Sequence, residues 1–198
     1  MGTLTRRFED ALVYAAQLHA EQVRKGSGVP YVSHLISVAG LTLEYGGGED
    51  EAIAALLHDA VEDQGGPATR AEILRRFGPE VTVIVDGCTD TDAIPKPPWR
   101  ARKEAYIAQL RLAPRPVRRV SACDKLHNAR TLVMEYRRCG EALWSRFHGG
   151  REGTLWYYRA IVRALPPDGI ADLVDELNRV VTELESLAAT GEHSALLG

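Results

Sequence analysis

The chain has 198 residues, 45% of them hydrophobic, and a formal net charge of −3. That length suits one domain with a real core, and the charge balance argues against an overall basic field for holding nucleic acid. No apolar run approaches the roughly 18–20 residues of a membrane helix.

Cys88, Cys123 and Cys139 are odd in number and widely spaced, with no CxxC pair. Neither a disulfide scaffold nor a zinc ribbon is indicated, and a reducing cytoplasm is the expected setting. The N-terminal stretch carries acids within its apolar pattern and has no signal-peptide core.

Residues 8–22 place Phe8, Leu12, Ala15, Leu18 and His19 on one stripe at helical spacing. "RKGSGVP" (24–30) breaks the pattern as a loop, and a second helix runs over 30–45 to the glycines at 46–48. A third helix is predicted from Glu49 to Asp63, closed by Gly65 and Gly66. Thr69 and Glu72 have the spacing of a capping box, for a helix that stops at Gly78. Five β-branched residues at 81–85 favour a strand on propensity, but Pro79 and Glu80 suit a helix start and the surroundings are helical, so a helix is expected. Residues 90–98 read as a loop, 99–111 as a basic amphipathic helix and 115–140 as one long helix. Helices near 141–148, 152–164 and 168–188 complete the chain. With no internal repeat or linker, the expectation is one all-α domain over 1–198.

Chemistry concentrates in the third helix, where His58, Asp59, Glu62 and Asp63 fall within six positions after an apolar run. Burying like charges together is costly unless they are paired or coordinate a cation. No Lys or Arg lies between Glu49 and Arg70, so a divalent metal is one answer and a frayed, solvated helix end is the other. His34 sits on an apolar helix, in step with Val38 and Leu41, where a satisfied core histidine is the ordinary reading. Asp124 sits between Ala122 and Leu126, where a salt bridge to Arg118, Arg119 or Lys125 would explain it.

Taken together, His34, the His58–Asp59 pair and Asp124 form a pattern that resembles the HD superfamily of metal-dependent phosphohydrolases. The stretches "VRKGSGVPYVSHLISVAG", "AALLHDAVED" and "VSACDKLHNARTL", between residues 23 and 134, resemble in particular the hydrolase domain of the RelA/SpoT homologues and the small alarmone hydrolases of metazoan SpoT type. The resemblance implies an HD helical bundle of about ten helices, with a metal core over 23–134 and C-terminal helices over 141–190. It implies Mn²⁺ held by His34, His58, Asp59 and Asp124, with Glu62 and Asp63 handling the nucleophilic water. Arg24 and Lys25 match residues that contact the nucleotide, and Asn128 one that contacts its sugar-phosphate part. The implied reaction is hydrolysis of the 3′-pyrophosphate of ppGpp or pppGpp, releasing pyrophosphate, by a hydrolase-only protein that acts on a small nucleotide. No nucleic-acid or membrane partner is implied, and a homodimer is admitted.

The residue types agree with that chemistry. Two neutral imidazoles and two aspartates suit a divalent ion, with mixed N/O ligands compatible with Mn²⁺, and a carboxylate outside the ligand set can serve as general base. Arg24, Lys25 and the basic "WRARKEAY" (99–106) are candidates for meeting phosphate, although 99–106 reads equally as a solvated face. Trp156, Tyr157 and Tyr158 either floor a base pocket or belong to the core. Cys123 stands where a small residue such as alanine is expected, and the "PPWRARKEAY" segment leaves adenosine alarmones beside guanosine ones. Two other readings stand: an HD phosphohydrolase acting on 5′-nucleotides or NADPH, and a catalytically silent nucleotide-binding module.

Overall fold

A computed structural model describes residues 3–91 and 95–195. Among them the chain is helical, and one isolated antiparallel bridge joins Val23 to Pro30. The helices are α1 (Arg6–Leu18), α2 (Val32–Glu44), α3 (Glu49–Leu57), α4 (Ala60–Asp63), α5 (Gly66–Phe77), α6 (Pro79–Cys88), α7 (Trp99–Leu112), α8 (Arg115–Cys139), a 3-10 helix (Gly140–Arg146), α9 (Gly150–Ala164) and α10 (Ala171–Ala195). The all-α expectation holds.

The centre of the molecule is α3, whose residues Ala52 to Leu57 are all fully buried. A helix apolar on every side must be covered on every side, and α1, α2, α6 and α8 pack around it. Ile53, Leu56 and Leu57 each add about 1.5–3 kcal/mol by burial. Its first turn is acidic (Glu49, Asp50, Glu51), as the helix dipole favours, and Glu51 accepts from the Gly48 N–H at 2.8 Å. The 25-residue α8 crosses this core and lies against α2, α6 and α10.

The β-branched run at 81–85 is helical because Gly78, at φ +91, ends α5 and Pro79 starts α6 at once. Val81, Ile84 and Val85 face inward at i, i+3 and i+4, while Val83 is exposed. In α1 the buried stripe is Ala11, Tyr14 and Ala15, with Phe8, Leu12 and Leu18 partly buried at its flank.

Three expectations are corrected. The helix predicted over 49–63 is interrupted at His58 and Asp59, where Asp59 adopts φ −98, ψ −4 and the chain restarts as α4. There is no capping box at Thr69, because Pro67 places the start of α5 at Gly66. The Thr69 hydroxyl instead donates to the Gln64 carbonyl, and Glu72 pairs with Arg75 and Arg76. The segment near 141–148 is a 3-10 helix ending at Arg146. Of the loop expected over 90–98, residues 92–94 lie outside the described residues.

Candidate active site

Apolar neighbours carry the polar groups of this site into the core. His34 enters on the first turn of α2 beside Leu35 and Val38, His58 follows Leu56 and Leu57 at the end of α3, and Asp124 lies between Cys123 and Leu126 in the middle of α8. His34, His58 and Asp124 are 0%, 2% and 5% exposed. Asp59, released from α3 by the break after Leu57, completes the group.

The four side chains converge. His58 Nε2 lies 3.0 Å from Asp59 Oδ2 and 3.6 Å from Asp124 Oδ1. His34 Nε2 lies 3.2 Å from Asp124 Oδ1 and 3.8 Å from Asp59 Oδ2. Both Nε2 atoms are buried without a hydrogen-bond partner. The opposite ring nitrogens are engaged: His58 Nδ1 with the Ala55 carbonyl at 2.8 Å, and His34 Nδ1 with His127 Nδ1 at 2.8 Å. A carbonyl can only accept, so the proton of neutral His58 resides on Nδ1 and its Nε2 lone pair faces the carboxylates.

Electrostatics describe a place built for positive charge. Burial pulls His34 below the usual imidazole range. Burial opposes a charged His58 too, but Asp59 and Asp124 outweigh it and raise His58 well above that range. Both carboxyls are held below the usual carboxylate range despite their burial, Asp59 by His58 and Asp124 by Lys125 with the two imidazoles. Two imidazole lone pairs and two carboxylates, with orphaned nitrogens facing inward, fit a divalent cation of borderline character. His34, His58 and Asp59 each bring a ligand atom within 4.8 Å of the other two.

A second layer holds these groups in place. The Tyr31 hydroxyl donates to Asp59 Oδ2 at 2.5 Å, and Lys125 Nζ donates to Asp124 Oδ2 at 2.6 Å. Asn128 Nδ2 donates to Asp124 Oδ1 at 2.5 Å, and Asn128 Oδ1 accepts from Arg24 Nη2 at 2.8 Å. Above them opens a polar cleft of about 170 Å³, where Arg24, Lys103 and Lys125 face Asp59, Glu62, Asp90 and Asp124.

The other expected site residues are sorted by this geometry. Glu62 walls the cleft and accepts from Lys96 at 2.8 Å. Asp63 turns aside to Gln22, which donates at 2.9 Å, and burial pushes its carboxyl up. Arg24 and Asn128 line the cleft, whereas Lys25 is exposed and is not part of its wall.

The basic segment 99–106 divides between the two readings given for it. Lys103 lines the cleft and, with Arg102, grips Asp90. Arg100 lies outward, 3.2 Å over the Trp156 ring. Tyr157 is buried and forms part of the cleft wall, Tyr158 is buried in the core, and Trp156 faces a different groove.

Sequence reasoning did not single out Tyr31, His127, Gln22 or Lys96. The first two carry a readable signal, since Tyr31 precedes His34 by three positions and His127 follows Asp124 by three, the helical spacing of neighbours. Gln22 and Lys96 meet their partners only through the fold.

Known proteins resemble this chain. The HD domain model matches residues 11–155. The GTP pyrophosphokinase rsh of Brucella ovis is 38% identical over 125 residues, which are 62% of this chain and 16% of that protein. The guanosine-3′,5′-bis(diphosphate) 3′-pyrophosphohydrolase of Haemophilus influenzae is 36% identical over 124 residues, 60% of this chain and 17% of that protein. The chain thus spans about a sixth of the length of these curated relatives.

Among solved structures, one described as a metazoan orthologue of SpoT that hydrolyses ppGpp superposes with a TM-score of 0.76 at 25% identity, over 92% of this chain and 98% of the other. A structure from Listeria monocytogenes superposes with a TM-score of 0.67 at 32% identity, over 75% and 96%. No helix among the described residues is long and apolar enough to cross a membrane. With about three-quarters of its length under the domain match, this chain belongs to the HD-domain family.

Proposed function

We propose that the chain is a Mn²⁺-dependent 3′-pyrophosphohydrolase of guanosine-3′,5′-bis(diphosphate), with adenosine alarmones as alternative substrates. The observation that carries this reading is the convergence of two unpartnered imidazole Nε2 atoms with Asp59 and Asp124, beside a cleft that holds Glu62 and three cations. The name of the Haemophilus influenzae relative and the ppGpp hydrolysis described for the metazoan structure point to the same substrate.

His34, His58, Asp59 and Asp124 would hold the ion. When bound there, it supplies Lewis-acid polarisation of a phosphoryl oxygen and a lowered pKa for the adjacent water. Glu62, on the cleft wall, accepts the proton of the attacking water, and Lys96 fixes the direction of its carboxylate. The water oxygen bonds to the phosphorus attached to the ribose 3′-oxygen, the bond to that oxygen breaks, and a proton restores the 3′-hydroxyl. Pyrophosphate leaves. Asp63, the other acid of the pair, is tied to Gln22 and does not line the cleft.

Arg24, Lys103 and Lys125, which offset the carboxylates around them, meet the substrate's negative charge. Asn128, placed between Arg24 and Asp124, contacts the sugar-phosphate part. Lys25, exposed and outside the wall, is left to phosphates that project beyond the cleft.

The test is a product assay on the purified chain with Mn²⁺, offering ppGpp, ppApp and a 5′-mononucleotide. Pyrophosphate released from the 3′-pyrophosphate substrates alone is the expected result, and it also fixes base preference. Phosphate released from the mononucleotide, with the alarmones intact, overturns the proposal in favour of a different HD phosphohydrolase.

A further inference from the structure

We infer that His127 is a positioning residue for the metal centre: it accepts the Nδ1 proton of His34 and so turns the His34 Nε2 lone pair toward Asp59 and Asp124. The inference rests on the metal-centre reading but not on any substrate.

The two Nδ1 atoms are 2.8 Å apart, with ring centroids 4.8 Å apart, so one proton lies between them. If His127 carried it, neutral His34 would have to carry its own proton on Nε2. That atom faces Asp124 Oδ1 at 3.2 Å and would then be a donor with no lone pair to offer. Only the other arrangement, with the proton on His34 Nδ1 and the acceptor lone pair on His127 Nδ1, makes His34 a ligand through Nε2.

The two histidines of the centre therefore differ. His58 is set by a backbone carbonyl, which can accept and nothing else. His34 is set by a side chain whose tautomer is free to choose. A single substitution on α8 can thus unset one metal ligand without replacing any ligand. The support and the ligand share a helix, since His127 lies three residues beyond Asp124, and the His127 backbone is anchored through its carbonyl by Thr131 Oγ1 at 3.0 Å.

The experiment compares the wild-type chain with His127→Phe and His127→Asn, titrating Mn²⁺ and Co²⁺ against a chromophoric chelator and recording the Co²⁺ visible spectrum. Phenylalanine keeps the ring and removes the acceptor, whereas the asparagine side-chain oxygen falls near the position of the lost Nδ1. Outer partners of metal ligands typically contribute 10–100-fold in affinity. The Phe variant is expected to bind both ions 10–100-fold more weakly with an altered Co²⁺ spectrum, and the Asn variant within several-fold of wild type.

Wild-type affinity and spectrum in the Phe variant overturn the inference while leaving the metal centre intact. If the Phe variant fails to fold, the Asn variant decides: affinity kept supports the inference, and a loss of 10-fold or more overturns it. A wild-type chain that binds neither ion overturns both this inference and the metal-centre reading, whatever the product assay returns.

Discussion

Arg24 Nη2 donates to Asn128 Oδ1 at 2.8 Å, tying the loop before α2 to the middle of α8 across 104 positions of sequence. The tie continues in both directions. Asn128 donates onward to Asp124, and the Arg24 guanidinium lies 5.8 Å from the Tyr31 ring, whose hydroxyl donates to Asp59. A residue at the cleft mouth is therefore linked to both carboxylates of the candidate metal centre. Having its oxygen on a guanidinium and its nitrogen on a carboxylate leaves the Asn128 amide one orientation.

This predicts coupled effects. Arg24→Ala and Asn128→Ala should each raise KM for the alarmone several-fold, and the double variant should lose less than the sum. The difference should correspond to about 0.5–3 kcal/mol of interaction, as for residues in one hydrogen-bond network. Strict additivity in a double-mutant cycle on kcat/KM would show that the tether carries no energy.

Metal dependence should appear in stability as well as in turnover. A ligand that binds only the folded state at 100 times its Kd adds about 2.7 kcal/mol. The chain with Mn²⁺ should therefore melt higher than the chain treated with a chelator. In Asp59→Ala that difference should vanish together with turnover. A metal-dependent shift that survives the substitution would remove Asp59 from the ligand set.

The acidic pair should not behave as a pair. Glu62 is on the cleft wall and Asp63 is held by Gln22 outside it. Loss of a general base costs typically 10²–10⁴-fold in rate, so Glu62→Gln should lower kcat on that scale while keeping Mn²⁺ affinity. Asp63→Asn should cost much less. Steady-state kinetics at saturating metal decide, and equal losses would make both carboxylates part of one proton path.

Outside the site, Glu176 accepts from Arg179 at 2.8 Å and from Arg130 of α8 at 2.9 Å. These guanidiniums hold its carboxyl down to about 2. A depressed carboxylate gives stability that is present above its unfolded value, about 4.3, and that is lost as pH falls through the folded value. Because the pair is largely solvated, the gain is small and weakened by salt. Glu176→Gln should flatten the fall of the melting temperature between pH 5 and pH 2, most visibly at low ionic strength.

The candidate ligands stood out in sequence because apolar surroundings marked them: His34, the His58–Asp59 pair and Asp124 each interrupt a run destined for the core. The interruption of α3 was not legible, since Ala60 and Val61 continue the helical pattern and the break lies in the backbone at Asp59. Thr69 and Glu72 match a capping box by spacing, but Pro67 had already started the helix. Lys25 and Arg24 are adjacent and chemically alike, and only the turn of the loop sends one inward and leaves the other outside. His127 reads as part of a motif, yet its role depends on α2 placing His34 Nδ1 beside it, which no local pattern encodes.

That same loop supplies the last prediction. Gly26 and Gly28 both have positive φ, +88 and +70, where a side chain is strained by about 1–3 kcal/mol. Their surroundings differ. A Cβ at Gly28 would meet nothing within 4 Å, whereas one at Gly26 would lie 2.5 Å from Arg146 Nη1 and 2.9 Å from its Cδ. Arg146 is in turn held by Glu135 at 2.9 Å, so the 3-10 helix braces the loop that carries Arg24. Gly28→Ala should therefore cost only the backbone strain. Gly26→Ala should cost more, and Arg146→Ala should relieve the excess, since it removes the atoms in the way. Denaturant unfolding of the three single variants and of the Gly26→Ala, Arg146→Ala pair measures this directly. Equal losses for the two glycines would show that Arg146 moves aside freely and braces nothing.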